Sequence, residues 1–173
     1  FRLMDYRLVT ETFDRIVSVG MFEHVGVPHY GEYFGFVKDH LADDGIAVIH
    51  TIGHTGRPND GDPWVGKYIF PGGYAPTLGE IMKAVDCQGL VPTDIEVWRI
   101  HYAKTLAAWY ERFMAKVDRA RALYDDQFVR MWRYYLLSSE AVFLPGGRVL
   151  VYQLQLGKSV DAAPITRDYL YTA

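Results

Sequence analysis

Apolar and polar positions follow a strand, helix, strand pattern in the first part of the chain. The run from Asp14 to Gly20 is rich in β-branched residues and ends in glycine, which is typical of a buried strand. Between Pro28 and Leu41, apolar residues recur every three or four positions, so we predict a helix with one buried face. The apolar run from Ile46 to His50 predicts a second strand. This order predicts a parallel crossover unit.

The later part of the chain continues the α/β pattern after a stretch rich in Gly and Pro, Thr51 to Pro76, which we interpret as a functional loop. Thr77 and Glu80 form a capping pattern that predicts a helix to about Asp86. The remaining predicted elements are a strand from Asp94 to Ile100, aromatic-rich helices from Lys104 to Leu123 and from Asp125 to Phe143, and a strand from Val149 to Leu156. We therefore expect an open, mostly parallel sheet that binds its ligand at the carboxyl ends of the strands.

Length, composition and charge limit the classes of protein to which the chain can belong. The chain has 173 residues, of which 50% are hydrophobic, enough for one domain with a core. We assign residues 1–157 to this domain and 158–173 to a tail. The formal charge of −3 gives no electrostatic reason to expect nucleic acid. The single cysteine, Cys87, cannot form an internal disulfide, so we expect an intracellular protein.

Polar side chains follow three of the predicted strands. Glu23 and His24 come shortly after the first strand, His50 ends the second, and His101 and Tyr102 follow the third. The carboxyl ends of parallel strands meet at one edge of a sheet, so these groups are suited to holding a small oxyanion or moving a proton there. Each of them alone is equally compatible with a structural hydrogen bond or a helix cap. Their coincidence at three strand ends favours a site.

Other chemistries have less support in the sequence. Two imidazoles and a carboxylate can ligate zinc or iron. The side chains of the adjacent Glu23 and His24 point in different directions, however, and we predict no metal site. The sequence has no Gly-x-Ser-x-Gly motif for a serine nucleophile and neither a Walker loop nor a Gly-x-Gly-x-x-Gly motif for phosphate.

Long motifs run in a fixed order through nearly the whole chain, up to about Gln155. They are the segments 14–26 (DRIVSVGMFEHVG), 50–53 (HTIG), 62–64 (DPW), 67–73 (KYIFPGG), 101–106 (HYAKTL), 109–113 (WYERF) and 134–136 (YYL). These motifs closely resemble those of the cyclopropane-fatty-acyl-phospholipid synthase family, which includes the mycolic acid cyclopropane synthases.

The resemblance implies a Rossmann-like class I methyltransferase fold. Only the later strands of its sheet are expected here, with helices on both faces and an added aromatic-rich helical segment. It implies that S-adenosylmethionine donates a methyl group to the cis double bond of a lipid acyl chain, and that the resulting carbocation loses a proton to close a cyclopropane ring. A bound bicarbonate is the base in this scheme. The residues that match its site are Glu23, His50 and Tyr102, with the backbone at Ile52. Asp5, Tyr6 and Arg7 match the family's segment near the adenine of the cofactor.

A carbocation intermediate gives the aromatic residues a further interpretation, because aromatic faces attract cations. The candidates are Tyr33, Tyr102, Tyr110, Phe113, Tyr134 and Tyr135. Ordinary core packing explains the same residues. The resemblance also implies unsaturated phospholipid acyl chains as substrate and peripheral contact with the inner membrane surface from the cytoplasm. It leaves homodimer formation open.

Two departures from the family pattern bear on activity. The family's glycine-rich loop and a cysteine of its bicarbonate site lie upstream of Phe1, so we expect a carboxy-terminal part of a longer enzyme that is inactive alone. Ser139 stands where the family usually has cysteine, which puts any role for sulfur chemistry there in doubt. The alternatives are a related enzyme that makes methyl-branched or hydroxylated lipids and a catalytically silent lipid-binding fragment.

Overall fold

The computed structural model describes residues 1–171, which form a four-stranded sheet and six α-helices. The strands are β1 (Phe13–Val19), β2 (Leu41–His54), β3 (Val91–Trp98) and β4 (Val149–Gly157). The helices are α1 (Tyr30–His40), α2 (Pro63–Tyr68), α3 (Leu78–Gln88), α4 (His101–Met114), α5 (Val117–Leu123) and α6 (Asp126–Phe143). The order across the sheet is β1-β2-β4-β3. The predicted mixed α/β class is confirmed.

The predicted crossover unit is present. β1 and β2 are parallel, and Val19 near the end of β1 pairs with His50 of β2. Helix α1 connects the two strands in sequence. The carboxyl end of β1 therefore lies beside His50, as the sequence pattern requires.

The chain divides into two compact units. The first comprises 1–51, 78–96 and 152–171, and it holds β1, α1, α3 and most of the other three strands. The second comprises 52–77 and 97–151, and it holds α2 and the helices α4 to α6. Within residues 1–171, no helix combines the length and the hydropathy that crossing a bilayer requires.

Aromatic residues dominate the core of the first unit around α1. The ring of Phe22 is fully buried and stacks on Tyr30 with 4.3 Å between ring centroids. It also contacts Tyr33 and Phe34, at 5.1 and 5.4 Å. The positions 30, 33 and 34 lie on the buried helix face that the sequence spacing predicts. Phe22 thereby anchors the turn that follows β1.

The core of the second unit is built mainly from α4 and α6. Its buried residues are Ala103, Leu106, Tyr135, Leu136, Phe143 and Val151. The prediction of one helix from Lys104 to Leu123 is wrong, since α4 begins at His101 and ends before Lys116. Lys116, with φ −125° and ψ 21°, leaves the helical conformation, and its N–H bonds the carbonyl of Phe113 instead. The chain then restarts as α5.

The predicted loop from Thr51 to Pro76 is partly ordered secondary structure. Strand β2 continues to His54, and α2 begins behind Asp62, whose carboxylate accepts from two backbone N–H groups. His54 holds the two ends of the segment between β2 and α3 together. Its backbone N–H donates to the carbonyl of Pro76, and its ring nitrogens lie 2.7 Å from the carbonyl of Ala75 and 3.0 Å from that of Arg57.

The bounds predicted for the third strand, Asp94 to Ile100, are displaced from those of the structure, since β3 spans Val91–Trp98.

The exposed edge of the sheet leads to a prediction about aggregation. β1 is the first strand in the sheet order, and the side chains of Val17 and Val19 are 68% and 66% exposed. Apolar edge strands pair with other chains. Replacing both residues by lysine should therefore reduce light scattering of this chain, expressed by itself, several-fold. The control is Leu123→Lys, which adds charge at an exposed position of α5. An equal reduction in that control would show that added positive charge, and not the edge strand, determines the light scattering.

Candidate functional site

Glu23 lies in a single 3-10 turn, Phe22–His24, just after β1. The chain leaves the strand at Gly20, whose positive φ of 64° suits glycine. The N–H of Gly20 donates to the carbonyl of His50 at 3.0 Å, which fastens the start of the turn to β2. The Oε2 atom of Glu23 is buried. The structure thus shields one oxygen of this carboxylate from solvent, near the carboxyl end of β1.

His50 is linked to two polar residues that sequence reasoning did not identify. Its Nδ1 lies 3.3 Å from Oε1 of Gln153, whose Nε2 donates to Oε2 of Glu96 at 2.8 Å. Gln153 belongs to β4 and Glu96 to β3. A signal was present in the sequence, because Gln153 and Gln155 alternate with apolar residues in an otherwise hydrophobic strand. Their partners could not be identified from it.

The other two residues of the predicted site belong to the second unit. Ile52 is two positions beyond His50 along β2 and packs against the core of that unit. Tyr102 lies in the first turn of α4, where its ring contacts Trp109 at 5.9 Å and Phe143 at 5.0 Å. The structure therefore brings the turn of Glu23 and His50 to the carboxyl end of β1. The convergence of all four residues stays a prediction.

Ser139 also has a defined neighbour within the second unit. Burial raises the pKa of Tyr135, nearby Tyr102 raises it further, and a hydrogen bond with Ser139 acts against the rise. Tyr135 is itself buried in the core of this unit. The hydroxyl that replaces the family's usual thiol thus contacts a buried phenol near Tyr102.

In the first unit, the phenol of Tyr33 has a raised pKa. Burial raises the pKa of Tyr33 to about 12, with an opposing contribution from the hydroxyl of Ser18 and a further increase from Glu23. The ring also lies 5.8 Å from that of Tyr6. The surroundings of Glu23 therefore include a phenol that stays protonated at neutral pH.

The raised pKa of Tyr33 predicts alkaline destabilisation. An unfolded tyrosine ionises near pH 10, whereas Tyr33 ionises at about 12 in the folded protein. Between these values the unfolded state binds fewer protons, so the free energy of unfolding should fall by up to about 1.4 kcal/mol per pH unit. Urea denaturation over this pH range measures the slope. Tyr33→Phe should flatten it, whereas Tyr124→Phe, at an exposed position, should not. An unchanged slope in Tyr33→Phe would contradict the assignment.

The segment predicted to contact adenine forms a tight turn. Asp5 caps the 3-10 turn Tyr6–Leu8, and both of its oxygens accept from the guanidinium of Arg7. This hydrogen-bonded pairing lowers the pKa of Asp5 to about 2. The ring of Tyr6 is held edge-on against Phe36 at 5.0 Å. The carboxylate and the ring are the residue types that an adenine contact needs, and in this structure the carboxylate of Asp5 is bound to Arg7.

The charged residues of the described segment do not gather into a metal-binding group: among residues 1–171, no three His, Cys, Asp or Glu side chains lie together as ligands. Of the residues predicted to bind the oxyanion through their side chains, Glu23 and His50 lie in the first unit and Tyr102 lies in the second. A carboxylate and a neutral imidazole accept protons, and a phenol donates a hydrogen bond. These groups suit proton transfer.

Comparison with known proteins shows similarity over most of the chain. Residues 1–154 match the family described as mycolic acid cyclopropane synthetase. The chain is 43% identical over 141 residues to the cyclopropane-fatty-acyl-phospholipid synthase of Escherichia coli (strain K12). That match covers 82% of this chain and 37% of the relative, so the chain spans little more than a third of the relative's length.

Solved structures show the same similarity. A cyclopropane synthase from Mycobacterium tuberculosis superposes with a TM-score of 0.81 at 27% identity, covering 87% of this chain and 57% of the other. A mycolic acid cyclopropane synthase in complex with SAH and CTAB gives a TM-score of 0.79 at 28% identity, with the same coverage of 87% and 57%. The Rossmann-like methyltransferase fold expected from the sequence is confirmed.

Proposed function

Because the chain belongs to the mycolic acid cyclopropane synthetase family, we propose that it forms part of an enzyme that converts a cis double bond of a lipid acyl chain into a cyclopropane ring, with S-adenosylmethionine as the methyl donor. One observation carries the proposal: within the matched segment, the turn of Glu23 follows the carboxyl end of β1, and His50 lies beside that end on the parallel strand β2. Folds of this kind bind their ligands at that edge.

The first chemical demand is positioning. An alkene is a weak nucleophile, so it must be aligned with the methyl donor in a pocket that excludes water. S-adenosylmethionine supplies an electrophilic methyl group on sulfur. For this chain we propose that Tyr6 stacks against the adenine and that Asp5 accepts a hydrogen bond from its amine. The edge-on contact between Tyr6 and Phe36 supports this role, because it holds the tyrosine ring in a defined orientation.

The second demand is removal of one proton from the transferred methyl group. We assign to Glu23, His50, Tyr102 and the backbone at Ile52 the binding of bicarbonate, which supplies a basic oxygen when bound. The donor set fits this ion. The phenol of Tyr102 would donate a hydrogen bond to an anionic oxygen of bicarbonate, and the carboxylate of Glu23 would accept one from the hydroxyl of the ion. The buried Oε2 of Glu23 supports the assignment, since hydrogen bonds strengthen away from water.

The third demand is access to the acyl chain. We propose unsaturated phospholipid as substrate and a peripheral membrane contact through exposed aromatic residues of the second unit. Tyr68 and Phe70 are 51% and 41% exposed, and the ammonium of Lys67 lies 5.0 Å from the centroid of the Tyr68 ring. Aromatic side chains beside a cation suit an anionic lipid surface. The homodimer left open by the resemblance stays a prediction.

The test is product analysis with the complete protein. It is incubated with methyl-labelled S-adenosylmethionine and vesicles of unsaturated phospholipid, and the acyl chains are examined by mass spectrometry and NMR. We expect each modified chain to gain one CH2 group and to show cyclopropane proton resonances. A branched methyl group, or a methyl group together with a hydroxyl, would assign the related activities instead. Absence of labelled lipid and of S-adenosylmethionine binding would identify a silent lipid-binding protein.

A further inference from the structure

A chain of three polar side chains crosses the sheet within the first unit. Gln153 lies between His50 and Glu96, with 3.3 Å from its Oε1 to Nδ1 of His50 and 2.8 Å from its Nε2 to Oε2 of Glu96. The other oxygen of Glu96 faces Arg167 at 3.9 Å. Arg167 is itself held by two contacts with Asp94, at 2.6 and 3.0 Å. Along this series, the amide of Gln153 lies between an imidazole and a carboxylate, and the guanidinium of Arg167 faces the carboxylates of Glu96 and Asp94.

The direction of each hydrogen bond follows from the chemistry of Glu96. A carboxylate only accepts, so the side of the Gln153 amide that faces it must be the NH2 group. The amide oxygen then faces His50, and an oxygen acceptor requires a proton on Nδ1. In the neutral ring, the lone pair is therefore on Nε2. The partner of one ring nitrogen sets which nitrogen is basic.

We propose that Gln153 is a positioning residue that holds His50 in its Nδ1-protonated tautomer and so makes Nε2 the basic nitrogen. The tautomer itself follows from the hydrogen-bonded series. Its use in accepting a proton at the candidate site rests on the proposed function.

The neighbouring glutamine of β4 provides a contrast. Gln155 lies two positions further along the strand, on the same face, and both glutamines line a small cavity with Asp94 and Glu96. Its amide nitrogen donates to the hydroxyls of Thr93 and Tyr169, at 3.0 and 2.9 Å. Gln155 thus donates to Thr93 and Tyr169, whereas Gln153 contacts His50 and Glu96, and Gln155 is the matched control.

The tautomer is measured directly by long-range 1H–15N NMR on the complete protein labelled at histidine, at a pH where the rings are neutral. His50 is assigned from the signal lost in His50→Gln. We expect the Nδ1-protonated pattern in the parent protein. Gln153→Leu should raise the population of the Nε2-protonated form, whereas Gln155→Leu should not change it. An Nε2-protonated His50 in the parent, or an unchanged spectrum in Gln153→Leu, would overturn the proposal.

A second variant, Glu96→Gln, tests the proposal independently in case Gln153→Leu does not fold. Glu96→Gln is nearly isosteric, and its amide can either donate or accept, so the direction of the Gln153 amide is no longer imposed. Mixed tautomers of His50 are expected. A purely structural role for Glu96 would leave the tautomer unchanged, and that result would count against the proposal.

Kinetics separate this inference from the proposed function. Gln153→Leu should lower kcat about 10- to 100-fold, as expected when the orienting partner of a functional histidine is lost, with little change in KM. If the parent protein modifies no lipid, the proposed function fails while the NMR result still decides the tautomer. If the parent is active and Gln153→Leu has the parent's kcat, the positioning role fails alone.

Discussion

Replacing Glu23 by glutamine is expected to lower formation of the cyclopropane product about 100-fold or more, the range in which general acid–base groups contribute. Glutamine has nearly the same shape as glutamate, so the turn anchored by Phe22 should persist. The substitution removes the negative charge and one strong acceptor at the buried position of Oε2. The measurement is kcat/KM of the complete protein on unsaturated phospholipid vesicles, together with the thermal midpoint of each variant.

Glu32→Gln is the matched control for this experiment. Glu32 lies in the first turn of α1 with a side chain that is 62% exposed, and its partner is the surface residue His29 at 3.4 Å. Loss of such a surface pair has little effect on stability. Glu32→Gln should therefore keep the activity of the parent. Near-parental activity in Glu23→Gln would remove Glu23 from the catalytic machinery while leaving the family membership intact.

Tyr102→Phe should reduce the same activity by about 100-fold, comparable to the loss of one hydrogen-bond donor to a bound anion. The ring contacts with Trp109 and Phe143 do not involve the hydroxyl, so phenylalanine should preserve the packing of α4. The expected loss is therefore chemical rather than structural. It is measured as kcat over a series of bicarbonate concentrations, where a donor to this anion should also raise the concentration needed for half-maximal activity.

The control for Tyr102→Phe is Tyr110→Phe. Tyr110 lies two turns further along α4 and packs against the same core. Its hydroxyl has no role in the proposed proton transfer. Equal losses in the two variants would assign the effect of Tyr102 to core packing, and bicarbonate dependence unchanged by Tyr102→Phe would exclude it from the anion site.

Hydrophobic spacing identified the elements that have a single buried face. α1 was predictable because apolar or aromatic residues at positions 30, 33, 34 and 37 form one face of a helix, and all four are buried. The run that forms β1 was predictable from its β-branched residues. The positions of Glu23 and His50 followed from the rule that ligands bind at the carboxyl ends of parallel strands. The proposed function could be reached from the sequence only through the long motifs that the chain shares with a known family.

Features that depend on distant partners could not be predicted. The break between α4 and α5 at Lys116 contains neither glycine nor proline, so no local signal marked it. β2 extends to His54 because its backbone pairs with Pro76, a residue 22 positions away in the sequence. The link from His50 through Gln153 to Glu96 joins three strands, and periodicity carries no information about such pairings.

The contacts of His54 bear on how much the segment between Arg57 and Ala75 can change in length among related sequences. His54 contacts Arg57 at one end of this segment and Ala75 and Pro76 at the other, so the residues between them form a loop whose ends are held together. The entropy of closing such a loop grows only slowly with its length, by about 0.6 kcal/mol for each doubling. Length changes between these ends, outside the motifs at 62–64 and 67–73, should therefore be tolerated without displacing His50.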